Sequence, residues 1–201
     1  STDAVASLPV GSLIVSNEVI PNRAHILAEN IVKWGSPYCI VTRNEASAFG
    51  ALEEYFDIIA ADVPCSGEGM FRKDPAAITE WSVANVAHCA ERQRAILTDV
   101  WNALRPGGLF IYSTCTYNTE ENEEMVGFLR KKFGAIPLTV DIAPAWNITP
   151  ALVGDLPAYR FMVSLWQSFG NRANPVKLDE RLSSRQPKRQ RNATKKIKHP
   201  K

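Results

Sequence analysis

The chain has 201 residues, of which 45% are hydrophobic and 22% are charged, and its formal net charge is +2. These values are ordinary for a soluble globular protein, and the length allows one domain with a proper core. No segment approaches the length of a membrane span, and the first residues lack a signal-peptide pattern. We therefore exclude a membrane or secreted protein and expect a cytoplasmic one with reduced thiols.

The small net charge conceals two oppositely charged regions. Residues 171–201 contain eleven Lys or Arg and two Asp or Glu, whereas the remaining 170 residues carry a net charge of −7. We expect a folded domain over 1–165 and a basic, disordered tail over 166–201. Such a tail either binds a polyanion or only increases solubility, and composition favours neither.

Apolar runs and helical periodicity alternate along the chain. Four strands are predicted, with three helices that alternate with them or follow the last one. The segment 135–170 is too rich in proline to assign. The strands are predicted at 11–19, 38–42, 56–64 and 108–115, and the helices at 21–34, 90–108 and 118–134. In the last helix, Asn118 and Glu121 are spaced for a capping box.

This order of elements predicts an α/β fold with a parallel, doubly wound sheet. Ligands of such folds bind at the carboxyl ends of the strands. Cys65, in "DVPCSGEGM", and Cys115, in "STCT", each follow an apolar strand and lie among small polar residues. We therefore expect both thiols at the ligand-binding edge of the sheet.

The four cysteines show no C-x-x-C pair and no histidine at metal-ligand spacing, so no metal site is predicted. Cys39 and Cys89 lie within a strand and a helix, where burial is the default for a free cysteine. Cys65 and Cys115 fit that default less well. Their position suggests either a redox pair or two roles in covalent catalysis.

Two carboxylates also lie at strand ends. Glu18 closes the first strand, where a carboxylate can accept hydrogen bonds from ribose hydroxyls, although it could equally be an ordinary loop residue. Asp62 precedes a turn stiffened by Pro64, in which Gly67 and Gly69 allow another molecule's backbone to approach closely. A carboxylate there can hold a polar ligand or exchange a proton with it, and we favour function over simple capping.

The two cysteine motifs, "DVPCSGEGMFRKDP" and "STCTYNTEENE", resemble those of the NOL/NOP/Sun family of RNA (cytosine-5) methyltransferases. "PCSGEGMFRK" is most similar to the bacterial branch that methylates small-subunit ribosomal RNA, the RsmF or YebU type. The resemblance extends from about residue 11 to residue 133. It implies a Rossmann-like class I fold that uses S-adenosylmethionine as its cofactor.

The resemblance also implies roles for residues of the two motifs. Cys115 is the nucleophile that adds to carbon 6 of the cytosine, and Cys65 assists release of the methylated base. Asp62 holds the base at nitrogen 3 and its amino group, and it is also a candidate contact of the cofactor. Glu18 would bind the cofactor ribose and Asn44 its adenine.

The implied partner is RNA, with ribosomal RNA as the expected substrate. Arg72 and Lys73 directly follow the first motif and are placed to meet phosphates, although solvated loop charges are the plainer interpretation. A target base in folded RNA must also be unstacked to reach the thiols. The sequence does not indicate an oligomeric state.

Three departures from the family are visible. The family's first strand and its "Ala-Pro-Gly-Gly-Lys" loop are absent from these residues, so we expect an exposed sheet edge and weak or no cofactor binding by this chain alone. The closing antiparallel hairpin is begun only by "AYRF" at 158–161. The alternative function is therefore a non-catalytic RNA-binding remnant of such an enzyme.

Two other functions fit less well. A redox protein using Cys65 and Cys115 as a dithiol would be expected to carry a C-x-x-C motif. An amino-group methyltransferase has a similar proline-containing motif at "DVPC" but needs no second cysteine, so "STCT" opposes it.

Overall fold

The computed structural model describes residues 8–9 and 11–161, all within one compact unit, Ser1–Met162. The described part contains six strands and four α-helices. In chain order they are β1 (Ile14–Asn17), α1 (Pro21–Trp34), β2 (Cys39–Thr42), β3 (Phe56–Asp62), α2 (Pro75–Glu80), α3 (Val83–Trp101), β4 (Leu104–Ser113), α4 (Glu123–Phe133), β5 (Ile148–Thr149) and β6 (Arg160–Phe161). Three 3₁₀ turns lie at Ala46–Ala51, Glu68–Met70 and Pro144–Trp146.

The first four strands pair in parallel, as the alternation of strands and helices predicts, but in the described residues they form two separate pairs instead of one continuous sheet. β1 pairs with β2, and β3 pairs with β4 in a register that places Asp62 opposite Ser113. Within the described residues no strand joins the two pairs. β5 and β6 form a separate antiparallel pair of two residues each, so the segment around "AYRF" does contribute a short hairpin.

Helix α1 begins and ends as its sequence predicts. Pro21 occupies its first turn, where a missing N–H is no loss, and Gly35 ends it with a left-handed φ of 76°. The buried Ala24 and Ile31 lie on the face that contacts the sheet. This helix connects the parallel strands β1 and β2 in the manner of an α/β fold.

The predicted helix over 90–108 was wrong at both ends. Helix α3 starts at Val83, where the Ser82 hydroxyl accepts a hydrogen bond from the Asn85 N–H (3.1 Å), and it ends at Trp101. Pro106 and the glycines after it do not stop the helix, because they lie inside β4. There the pairing register with β3 shifts, so that residues 105–108 bulge out of the ladder.

The last predicted helix, 118–134, is shorter than expected. Helix α4 starts at Glu123, and its three basic residues, Arg130, Lys131 and Lys132, lie in the last turn as the helix dipole favours. The Asn118 side chain does accept the Glu121 N–H (2.8 Å), as in the predicted capping box. This hydrogen bond closes a turn that precedes the helix instead of capping the helix itself. The Glu121 side chain is thereby left free to bind elsewhere.

The core lies on one face of the β3–β4 pair, where α3 and α4 cover it. Leu97 and Met125 are fully buried there, and the rings of Trp101 and Phe133 stack with their centroids 4.6 Å apart. On the opposite face three apolar side chains are 39–47% exposed; these are Ile58, Leu109 and Ile111. The sheet is therefore covered on one side only by the described residues.

Some predictions concern other parts of the chain. The predicted boundary at 165 and the basic tail over 166–201 lie outside the described residues and stay predictions. Among the helices that the structure describes, none is long and apolar enough to cross a membrane.

Candidate active site

Cys65 and Cys115 lie side by side at the carboxyl edge of the β3–β4 pair. Because the two strands are parallel neighbours and end at Asp62 and Ser113, the loops that follow them leave the same edge. The two Sγ atoms are 2.9 Å apart, and the Cys115 N–H donates to the Cys65 Sγ at 3.2 Å. The structure thus brings together the two thiols that the sequence singles out.

The two thiols differ in their surroundings. Burial, together with the hydrogen bond to Cys115, raises the pKa of Cys65 to about 12. Cys65 therefore remains a protonated thiol at neutral pH and can donate to the neighbouring sulfur. Cys115 is exposed, so a substrate can reach it.

Asp62, the last residue of β3, lies at the same edge. Its Oδ1 accepts a hydrogen bond from the Ser113 hydroxyl at 3.0 Å, as their opposed register requires. The residue is exposed. Its carboxylate is therefore held in position by the sheet while remaining accessible to a ligand.

The glycines of the first motif serve an approach within the chain. Gly69 donates its N–H to the Cys115 carbonyl at 2.7 Å, and a Cβ on Gly69 would lie only 2.6 Å from that oxygen. Gly67 has a left-handed φ of 80°. The close approach seen within the chain is thus between the two motif loops, and the approach of another molecule's backbone at these glycines stays a prediction.

Glu68 ties the first motif to the second. Its carboxylate accepts hydrogen bonds from the Tyr117 N–H (2.7 Å), the Trp81 indole N–H (3.1 Å) and the Asn118 amide (3.3 Å). Sequence reasoning missed this residue. Its position between the two glycines of the motif, Gly67 and Gly69, was the only available signal.

A buried polar cluster beneath Cys65 was also missed. Glu121 and Gln93 are both fully buried, and the Gln93 amide donates to the Glu121 carboxylate at 2.6 Å. The Tyr112 hydroxyl lies 2.9 Å from Gln93 Oε1 and 2.7 Å from the Glu121 carbonyl, which are both acceptors. Burial and the nearby Glu121 charge raise the pKa of Tyr112, so its hydroxyl stays protonated.

A buried ion pair supports the second motif loop from the other side. Both guanidinium NH groups of Arg160 contact the Glu123 carboxylate at 2.7 Å, and its Nε donates to the Tyr117 carbonyl at 3.0 Å. Burial acts to raise the pKa of Glu123, but hydrogen bonds from Arg160 and from the Leu152 N–H outweigh it and lower that pKa below its usual value. The ion pair thus anchors the short β5–β6 hairpin to α4.

Glu18 and Asn44 lie at the carboxyl ends of β1 and β2, in a second cluster. Asn17 joins these ends, because its side chain accepts the Asn44 N–H and donates to the Asn44 carbonyl, both at 2.9 Å. Glu18 accepts the Ile20 N–H (3.0 Å) and pairs with Arg23 (3.0 Å). Its carboxylate is thus oriented by the start of α1.

A cavity of about 350 Å³ opens beside this second cluster. Apolar side chains make up most of its wall, and two polar residues, Thr42 and Asn44, lie at the carboxyl end of β2. The apolar residues are Val15, Ile40, Ala48, Phe49, Leu52, Tyr55 and Phe56. The cavity suits a flat, largely apolar group with a polar edge.

Arg72 and Lys73 follow the 3₁₀ turn of the first motif, and both are exposed. Neither forms an ion pair with another of the described residues. Their charges are therefore available to solvent or to a ligand. Cys39, half-buried near the Ser16 hydroxyl, and the buried Cys89 lie in a strand and a helix, as predicted for packing residues.

Solved methyltransferases share this arrangement of strands and helices. A methyltransferase homologue from Pyrococcus horikoshii aligns with a TM-score of 0.55 at 27% identity, covering 70% of this chain and 42% of that one. NSun6 from the same organism, solved with SFG, aligns with a TM-score of 0.52 at 29% identity, covering 60% and 30%. The protein is therefore an α/β protein with the Rossmann-like methyltransferase fold.

The sequence comparisons identify the family within that class. Residues 2–141 match the family described as 16S rRNA methyltransferase RsmB/F, and the chain belongs to this family. The ribosomal RNA small subunit methyltransferase F of Pectobacterium carotovorum is 42% identical over 134 residues, 66% of this chain and 28% of that protein. The Enterobacter protein of the same name is 38% identical over 152 residues, 75% and 31%. The chain thus spans less than a third of these relatives, and the family resemblance read from the two motifs is confirmed.

Proposed function

We propose that the protein transfers a methyl group from S-adenosylmethionine to carbon 5 of a cytosine in small-subunit ribosomal RNA, through a covalent adduct with Cys115. The observation that carries this proposal is the contact between Cys65 and Cys115 at the carboxyl edge of the sheet. Membership of the RsmB/F family and the names of the curated relatives support ribosomal RNA as the substrate.

The exposed thiol of Cys115 suits the role of nucleophile. Carbon 5 of cytosine is a poor nucleophile until the Cys115 sulfur adds to carbon 6, which moves the electron pair of the carbon 5–carbon 6 double bond onto carbon 5. The cofactor, when bound, supplies the electrophilic methyl group that carbon 5 attacks. Transfer of the carbon 5 proton to solvent water then breaks the carbon 6–sulfur bond, which expels the Cys115 thiolate and restores the carbon 5–carbon 6 double bond.

Cys65 suits the release step. As a protonated thiol 2.9 Å from the Cys115 sulfur, it can donate a hydrogen bond to the departing thiolate and so favour its departure. The same protonation makes Cys65 a poor nucleophile at neutral pH. The two cysteines therefore have unequal roles.

Asp62 would hold the target base. Its exposed carboxylate, oriented by Ser113, can bind the cytosine amino group and nitrogen 3 when a proton is shared there. That contact draws electrons into the ring and favours addition of the thiolate. Asp62 is also a candidate contact of the cofactor, because it ends β3 at the carboxyl edge of the sheet.

The second cluster fits the adenosine part of the cofactor. The Glu18 carboxylate can accept hydrogen bonds from ribose hydroxyls, as a carboxylate at this point does in other nucleotide-binding sheets. The apolar cavity beside Asn44 has the character that an adenine ring requires. SFG, found in the related NSun6 structure, is an analogue of S-adenosylmethionine and supports this choice of cofactor.

Arg72 and Lys73 would contact the RNA backbone beside the reacting base. Both are exposed and follow the motif that carries Cys65, so a phosphate next to an unstacked cytosine lies within their reach in this scheme. These contacts would add affinity without reading the sequence.

The test uses the intact enzyme, small-subunit ribosomal RNA, S-adenosylmethionine and two cysteine variants. Cys65→Ala should accumulate a covalent protein–RNA adduct that survives denaturing electrophoresis, whereas Cys115→Ala should form none. Cys89→Ala is the matched control and should turn over like the unaltered protein. An adduct formed by Cys115→Ala would overturn the assignment of the nucleophile.

The alternative is a non-catalytic RNA-binding remnant. The gap between the β1–β2 and β3–β4 pairs favours it, because a glycine loop following a strand there would normally bind the methionine end of the cofactor. We accordingly expect the 201-residue chain alone to bind S-adenosylmethionine weakly or not at all. Saturable binding of the labelled cofactor by this chain would contradict that expectation and favour the enzyme.

A further inference from the structure

Both peptide groups that flank Cys65 are held by one pair of buried side chains. The Gln93 amide donates to the Pro64 carbonyl at 2.9 Å, and the Glu121 carboxylate accepts the Ser66 N–H at 3.1 and 3.3 Å. Gln93 and Glu121 also bind each other at 2.6 Å. The peptide groups on both sides of Cys65 are therefore held in place by hydrogen bonds.

The pair is itself rigidly oriented. The Tyr112 hydroxyl lies within hydrogen-bond distance of Gln93 Oε1 (2.9 Å) and of the Glu121 carbonyl (2.7 Å), and the Asn118 amide donates to the Glu121 carboxylate at 2.8 Å. In the described residues no fully buried side-chain N or O atom lacks a hydrogen-bond partner. A fully satisfied buried network of this kind resists rearrangement.

The anchoring matters because the sheet does not extend to Cys65. The β3–β4 ladder ends at Asp62 opposite Ser113, and the following turn contains Gly67 and Gly69, which restrict the backbone little. The position of the Cys65 sulfur therefore depends on the two flanking peptide planes, together with the Cys115 N–H that donates to the sulfur.

We propose that Gln93 and Glu121 form a positioning pair that holds Cys65 against Cys115, and hence in the place where it assists release of the methylated base. This inference rests on the proposed function. Neither side chain contacts the reacting atoms, so both act through Cys65. Of the two, Gln93 is the more selective probe, because Glu121 also contacts Asn118 in the second motif loop.

The first experiment measures the reactivity of the Cys65 thiol, which depends on how the residue is held, and it requires no catalysis. The chain is treated with iodoacetamide at pH 8, and alkylation of each cysteine is followed by peptide mass spectrometry. Gln93→Met keeps the side-chain volume but removes the hydrogen bonds. Without them Cys65 should become less buried and its pKa should fall. A fall of one unit raises the thiolate fraction at pH 8, and hence the alkylation rate of Cys65, about tenfold. Alkylation of Cys39 serves as the internal reference and should not change.

Thr98→Val is the matched control. Thr98 lies on the same helix and loses hydrogen bonds to Arg94 and Lys132 when substituted, yet it contacts neither motif loop. In Thr98→Val, Cys65 should be alkylated at the same rate as in the unaltered protein. If circular dichroism shows that Gln93→Met does not fold, Tyr112→Phe is used instead. It removes only the hydroxyl that contacts Gln93 Oε1 and the Glu121 carbonyl, and the same acceleration is expected. An unchanged or slower Cys65 rate in a folded variant would overturn the proposal.

The second experiment asks whether the pair acts on release. In the intact enzyme, with ribosomal RNA and S-adenosylmethionine, Gln93→Met should accumulate the Cys115 adduct while the rate of adduct formation is retained. A general loss of structure would instead lower formation and release together. If the variant releases the methylated base at the rate of the unaltered protein, the positioning role is overturned. If the unaltered protein shows neither adduct nor turnover, only the proposed function is overturned, because the alkylation result does not depend on catalysis.

Discussion

The sulfur atoms of Cys65 and Cys115 lie 2.9 Å apart although 50 residues separate them in the chain. Parallel pairing of β3 with β4 brings their loops to one edge, and the Gly69 N–H then binds the Cys115 carbonyl. This contact makes one thiol the immediate environment of the other. Burial and this contact together raise the pKa of Cys65 to about 12.

Mild oxidation should join these two cysteines. An azodicarboxamide oxidant takes two hydrogen atoms from the thiols and becomes the hydrazine, leaving a disulfide, whose sulfur–sulfur distance of about 2.05 Å needs only a small approach from the present contact. Peptide mapping should find Cys65 linked to Cys115 and a mass lower by two hydrogens, both reversed by dithiothreitol. Linkage of Cys39 or Cys89 instead would contradict the observed geometry.

Removing the guanidinium of Arg160 should destabilise the fold. Arg160→Met leaves the Glu123 carboxylate, whose side chain is 4% exposed, without its counter-ion, and breaking such a buried pair costs about 3–5 kcal/mol. Arg94→Met is the control, since its partner Glu124 is 55% exposed and such pairs contribute about 0–1 kcal/mol. Urea unfolding measures both. Equal losses would mean that the Arg160 pair is not buried in solution.

The effect of Arg160→Met should depend on pH. In the unaltered protein the pKa of Glu123 is lowered from 4.5, so its stabilisation is complete above that value and is lost as the pH falls through the lower, folded pKa. In the variant, burial alone would raise the pKa, and protonation would relieve the cost. The difference in unfolding free energy should therefore shrink between neutral pH and acid. A difference that grows on acidification would refute this account.

Alanine at Gly69 should be costly, whereas alanine at another glycine should not. The new Cβ at 69 would meet the Cys115 carbonyl at 2.6 Å, and overpacking of this kind costs about 1–3 kcal/mol. Gly127 lies within α4, where its Cβ would be 3.5 Å from Leu156, so Gly127→Ala should stabilise by about 0.5–1 kcal/mol. Thermal unfolding separates the two. A neutral Gly69→Ala would show that the motif loops are further apart.

Asn17→Ala should loosen the loop that carries Asn44. The substitution removes the acceptor of the Asn44 N–H, and one hydrogen bond of about 1 kcal/mol corresponds to roughly fivefold faster exchange of that amide hydrogen. Asn30→Ala, at an exposed position on α1, is the control and should leave the exchange unchanged. If Asn44 exchanges equally in all three proteins, Asn17 does not hold this loop.

Strands β1 to β4, helix α1 and the common edge at which both thiols lie followed from the residues alone. Runs such as Phe56–Asp62 and the helical spacing of α1 depend on near neighbours in the chain, and proline and glycine mark the ends of α1. The carboxyl-edge rule for parallel sheets then placed Cys65 and Cys115 together. Each of these inferences uses local pattern or a general topological rule.

The contacts that hold the site were decided by tertiary structure. Gln93 reaches Pro64 across 29 residues, Glu121 reaches Ser66 across 55, and Arg160 reaches Glu123 across 37. A polar residue in a helical sequence looks the same whether its side chain is buried or exposed in the fold. Local pattern therefore cannot reveal which distant residue it contacts. The early end of α3 was missed for a related reason: pairing with β3 draws residues 104–113 into a strand, and that gain in hydrogen bonding and burial outweighs the turn preference of Pro106 and its glycines.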